Sequence, residues 1–73
     1  MKIVEDPLLI DLREAARLSG ISLSTFLRLE RTGRVGPRPI RLGRLVRIDR
    51  RELERWIAAG CPSRADWLRR RSA

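Results

Sequence analysis

The chain has no histidine and no tyrosine, and its 73 residues include one cysteine, one phenylalanine and two tryptophans. Each shortage removes a class of chemistry. Without histidine, and with no two carboxylates paired in an apolar setting, the usual acid–base players are missing. No glycine-rich phosphate loop is present. A lone Cys61 excludes an internal disulfide and any multi-cysteine metal site. No enzyme activity, cofactor or metal is therefore expected. The longest apolar runs are only a few residues, so no membrane partner is expected either. A free thiol and no signal-peptide pattern point to the cytoplasm.

Arginine is what the chain has in excess. Lysine and arginine together number 17 against 9 acidic residues, a net charge of +8, and all but Lys2 of those cations are arginine. The arginine fork suits phosphate and guanine edges better than a lysine point charge does. A GC-rich genome raises arginine content by itself, so the distribution says more than the total. Residues 1–20 have a net charge of −1. Residues 21–47 hold seven arginines and only Glu30, a net of +6. Residues 48–73 return to +3. Concentration of charge in one segment is the footprint of a nucleic-acid binder.

A chain of this length forms one domain and buries only about 60% of its unfolded surface. Residues 1–10 read as an approach segment, broken by Pro7, with Leu8, Leu9 and Ile10 covering the core. Asp11 and Glu14 make a capping box for a helix over about 12–19, with Leu12, Ala15, Ala16 and Leu18 inward and Gly20 closing it. Ser22 caps a second helix over about 23–32, and Ile21 can staple onto Phe26. Leu23, Phe26 and Leu27 are expected to face inward, with Leu29 at the margin. Ser24, Thr25, Arg28 and Arg31 occupy the opposite face. Two helices joined by so tight a glycine turn form a helix-turn-helix, whose second helix enters the DNA major groove. Ser24, Thr25 and Arg28 are then placed to read bases, with Arg31 on base or backbone and Ser22 at the helix start. The same pattern also fits a plain helical hairpin with a solvated face.

RPIRLGRLVRID follows, and a β-hairpin over about 39–48 is expected. A three-residue loop, Gly43-Arg44-Leu45, keeps Ile40, Leu42, Val46 and Ile48 on one face and sets Arg41 opposite Arg47. A two-residue Gly43-Arg44 turn splits that apolar set, so the longer loop is preferred. Asp49 and Glu52 cap a helix over about 50–59, with Leu53, Trp56 and Ile57 inward and Arg50, Arg51, Glu52, Glu54 and Arg55 outward. Ser63 and Asp66 cap a short helix over about 64–70, where Trp67 packs back on the body. Arg69, Arg70 and Arg71 either grip phosphate or fray. Cys61 reads as a small packing residue.

Helix, tight turn, helix, basic hairpin, helix is a winged helix-turn-helix order, mainly α with a small β-hairpin. In EAARLSG before the turn, SLSTFLRL for the second helix, the TGR exit, RPIRLGR and ELERWIAAGCP, the chain resembles the small excisionase and AlpA-like regulators. These are related to the DNA-binding heads of MerR proteins, and the resemblance covers roughly residues 8–67. Relatives often carry an aromatic where Leu27 stands, and usually have one residue fewer in the GRVGPRP run. The resemblance implies a wing over the adjacent minor groove or backbone, with Arg38, Arg41, Arg44 and Arg47 neutralising phosphates. It also implies copies bound side by side on double-stranded DNA, and a tyrosine-type integrase as partner. The setting would be the nucleoid, in excision of a prophage or integrative element. A transcriptional role on the same fold, or binding to RNA, would leave many of the same marks.

Overall fold

The computed structural model describes residues 7–72, with side chains as far as Arg70. Most of the approach segment and the side chain of Arg71 lie outside the described residues. The elements are β1 (Leu9–Ile10), α1 (Leu12–Leu18), α2 (Leu23–Arg31), β2 (Ile40–Leu42), β3 (Leu45–Asp49), α3 (Arg50–Ala58) and α4 (Arg64–Ser72). The strands form one antiparallel sheet in the order β1-β3-β2. This is a winged helix-turn-helix fold.

Local chemistry starts each helix. Asp11 Oδ1 accepts the Glu14 amide at 2.7 Å, Ser22 Oγ the Thr25 amide at 3.2 Å, and Asp49 Oδ1 the Glu52 amide at 3.2 Å. Ser63 Oγ accepts the Asp66 amide at 3.3 Å. Each such cap contributes about 1 kcal/mol. Ala15 and Ala16 are fully buried, and their small side chains let α2 lie close against α1. The core gathers Ile10, Ala15, Ala16, Phe26, Val35, Ile48, Leu53, Trp56 and Trp67.

β1 is more than a cover for the core. Leu9 pairs with Asp49 and Ile10 with Ile48, which puts Ile10 inside while Leu8 stays exposed.

The hairpin does not adopt the three-residue loop. Leu42 pairs with Leu45, Arg41 with Val46 and Ile40 with Arg47. Gly43 has φ 61°, and no positive φ occurs at Arg44. That is the pattern of a type II′ turn, which takes glycine at the first of its two central positions. The longer loop would have needed its left-handed residue at Leu45, where a side chain opposes it. The apolar set is therefore split. Val46 and Ile48 face the helices with Arg41, whereas Ile40, Leu42, Leu45 and Arg47 face outward. Arg41 and Arg47 lie on opposite faces of the hairpin, so the expected like-charge opposition does not occur.

The segment joining α2 to the wing is buried. Val35, Gly36 and Pro37 are all inside. A Cβ added to Gly36 would stand 2.5 Å from Trp56 Cδ1 and 2.8 Å from Trp67 Cγ, so only glycine fits between the two indoles. Trp56 Nε1 donates to the Pro62 carbonyl at 2.8 Å, and Trp67 Nε1 donates to Glu52 Oε2 at 2.8 Å. Glu52 is consequently buried, not outward, and the indole N–H offsets part of its desolvation. Arg64, at the start of α4, closes the arrangement. Its amide donates to the Gly33 carbonyl, and its Nε to the Val35 carbonyl, each at 3.0 Å.

Five other placements differ from expectation. Leu18, Leu27 and Ile57 are exposed at the edges of their helices' buried stripes, and Leu29 packs on the core in place of Leu27. Cys61 is exposed, at the left-handed backbone conformation that follows Gly60.

Candidate nucleic-acid interface

Ser24, Arg28 and Arg31 follow one another along the exposed side of α2 at helical spacing. Thr25 lies on the flank, half-buried. The Ser22 hydroxyl serves the helix start, accepting from the Thr25 amide and donating to Thr25 Oγ1 at 2.9 Å. The Thr25 hydroxyl proton remains available to an outside acceptor. Leu27 belongs to this same row, a position the sequence pattern assigned to the core. Its placement 100° from Phe26 on the helix is the signal that could have shown this. On such a face an aliphatic side chain can contact a thymine methyl.

The expected phosphate contacts of the wing do not share one surface. Arg38 and Arg41 line a cleft of about 330 Å³ between α1, α2 and the wing, together with Leu12, Glu30, Pro39, Val46 and Arg64. Arg44 sits in the turn itself. Arg47 stands on the outward face, half-buried, with Nη1 donating to the Val46 carbonyl at 2.9 Å. At the cleft, Glu30 is held by Arg64 across 2.9 Å, which neutralises the one acidic residue of the basic segment.

Elsewhere some of the cations are matched, while Arg13, Arg51 and Arg55 on the other helices have no ion pair among the described residues. The ion pairs among the described residues hold Arg17 to Glu14, Arg50 to Glu54, Arg64 to Glu30 and Arg69 to Asp66. No such partner engages Arg28, Arg31, Arg38, Arg41 or Arg44 among the described residues. Unmatched guanidinium groups on the second helix and the wing are each free to meet an anionic partner.

The helix-turn-helix domain family model matches residues 9–61, covering both helices of the motif, the wing and α3. The chain belongs to this family. The family includes excisionase- and AlpA-like small DNA-binding proteins, and the domain binds DNA sequence-specifically. Comparison with curated proteins and with solved structures gave no significant match.

Within this helix-turn-helix domain, α2 is the second helix of the motif and β2–β3 the wing. The matched residues stop at Cys61, so α4 and its Arg64 and Trp67 lie beyond them. No group of three histidine, cysteine or acidic side chains that could hold a metal occurs among the described residues. No described helix is long and apolar enough to cross a membrane.

Proposed function

We propose that the chain is an excisionase, a recombination directionality factor that acts without catalysing a reaction. It binds repeated sites on double-stranded DNA, bends the duplex and directs a tyrosine-type integrase toward excision of a prophage or integrative element. It works in the cytoplasm, on the nucleoid of a bacterium or an infected cell. The observation that supports this best is the unmatched row Ser24, Arg28 and Arg31 on α2 beside the unmatched arginines of the wing.

In this reading α2 lies in the major groove. Ser24, Thr25 and Arg28 meet base edges, and an arginine fork is matched to guanine O6 and N7. Arg31 contacts base or backbone. Arg38, Arg41 and Arg44 neutralise phosphates, and Arg47 can join them by leaving its own strand's carbonyl. One module of this kind covers roughly 600–1,000 Å² of protein surface on DNA. Strong specificity therefore calls for several copies side by side. Sedimentation on one-site and multi-site DNA tests this: equal affinity per site on both would remove the self-association.

A transcriptional regulator of AlpA type is the second reading, since the family includes such proteins. The two roles differ in where the sites lie. Footprinting on DNA of the encoding element, combined with an excision assay containing its integrase, separates them. Protection beside an attachment site with stimulated excision supports the proposal. Protection over a promoter with no effect on excision overturns it in favour of regulation. Binding to single-stranded RNA has less support. Phe26, Trp56 and Trp67 are the chain's only aromatic residues, and all three are buried, leaving no platform for stacked bases.

A further inference from the structure

The two-residue turn sets Leu42 and Leu45 directly opposite each other beside the tip of the wing. They are 50% and 51% exposed, on the face turned away from the core. Paired residues on one face stand about 5 Å apart, so the two side chains present one apolar edge. Arg44 lies in the turn between them, and Arg41 and Arg47 follow on the two strands. From Arg31 to Ile48 the chain has no acidic residue. On the leucines' own face the next pair is Ile40 and Arg47, and Arg41 lies on the other face, so an apolar edge bordered by arginines and by no acidic residue fits a surface that is anionic at its edges and apolar within. Duplex DNA is such a surface, with phosphates flanking stacked bases. Off DNA, a second copy of this chain would bring a net charge of +8 to the same contact, and like charges oppose it.

We propose that Leu42 and Leu45 form an apolar wedge that enters the minor groove and partly unstacks one base step, with Arg44 on a flanking phosphate. This deepens the DNA-binding reading and rests on it. Leucine is among the side chains that open base steps in this way and kink the duplex toward the major groove. The wedge needs a firm mount, and the buried segment at Gly36 supplies one. Unstacking is easiest at pyrimidine–purine steps. The wing therefore selects a deformable TA or CA step without reading base edges, adding specificity that the arginines do not provide.

The test uses the full chain and a duplex bearing one footprinted site. 2-Aminopurine is placed in turn at each step under the wing. Wild-type protein should raise its emission at one step. The double variant L42T/L45T keeps strand-forming residues at both positions. It should abolish that signal and lower single-site affinity by about tenfold. The salt dependence should not change, because no cation is removed. Replacing the flexible step by an A-tract should weaken wild type but not the variant. A wild-type complex that leaves 2-aminopurine dark at every step overturns the wedge, whether or not the variant folds. So does a folded variant with unchanged single-site affinity. If that variant loses only cooperativity on multi-site DNA, the leucines contact a neighbouring copy. Absence of any wild-type footprint would sink the sequence-specific reading itself, and the wedge with it.

Discussion

Arg64 Nη2 donates to Glu30 Oε1 at 2.9 Å, tying the start of α4 to the C-terminal turn of α2. The same guanidinium also donates to the Val35 carbonyl. Both groups are largely shielded from water, and hydrogen bonds to charged groups contribute about 1.5–3 kcal/mol each when buried. Partial exposure reduces that figure. Arg64→Ala should therefore destabilise the fold by about 2 kcal/mol in urea denaturation. Glu30→Gln keeps an acceptor for Arg64 and should lose under about 1 kcal/mol. Equal losses for the two variants would mean that the charge, and not the pair of hydrogen bonds, holds α4 in place.

Gly36→Ala has a different cause. Its Cβ would meet the ring of Trp56 at 2.5 Å and that of Trp67 at 2.8 Å. Neither indole can swing away freely, because each donates its N–H to a fixed acceptor. Overpacking of this kind costs about 1–3 kcal/mol. A lowered melting temperature should accompany a shift in tryptophan emission, since the indoles that must move are the chain's only two. An unshifted spectrum with unchanged stability would show that the segment yields instead.

Two arginine variants separate reading from gripping. Arg28→Ala should lose about 1–3 kcal/mol of binding and relax base preference at one position. Arg41→Ala should weaken all sequences alike and reduce the slope of log affinity against log salt by about one. An unchanged salt slope for Arg41→Ala would remove the cleft from the phosphate path.

The third element of electrostatics lies on α1. Hydrogen bonds from Arg17 hold the Glu14 carboxyl below its ordinary range, and their mutual attraction adds to the effect. A carboxyl lowered in the folded state contributes stability that is complete above its ordinary value of about 4.3. That contribution disappears as pH falls below this value through the depressed one. A carbon-detected NMR titration should find Glu14 depressed in wild type and ordinary in Arg17→Gln. Identical midpoints would contradict the pairing.

What could be read from sequence was local. Asp11, Ser22, Asp49 and Ser63 each cap a helix whose acceptor and amide lie three residues apart, so the chemistry is visible in a short window. The exposure of Ser24, Arg28 and Arg31 along one side of α2 was legible for the same reason, as was the order of the helices and the hairpin. Misreadings arose where two local signals competed. At Gly43 the position of glycine within the turn outweighed the grouping of Ile40, Leu42, Val46 and Ile48. At Leu27 and Leu29 two leucines flank Phe26 on α2, and distant packing decided which one went inside. Contacts between remote residues left no mark in any window. Glu52 is drawn inward by Trp67, Gly36 is enclosed by two indoles, and Leu9–Ile10 becomes a strand only beside Ile48 and Asp49.

Gly36 also acts as a gauge along the target. With its segment enclosed, α2 and the wing reach a duplex as one piece, unlike a head with a tethered arm. Adding one base pair between their two targets displaces the second by about 3.4 Å and turns it around the axis. The segment buried at Val35, Gly36 and Pro37 opposes that change. A site with altered spacing should therefore be rejected as firmly as one with altered bases, and the interval becomes part of the recognised word.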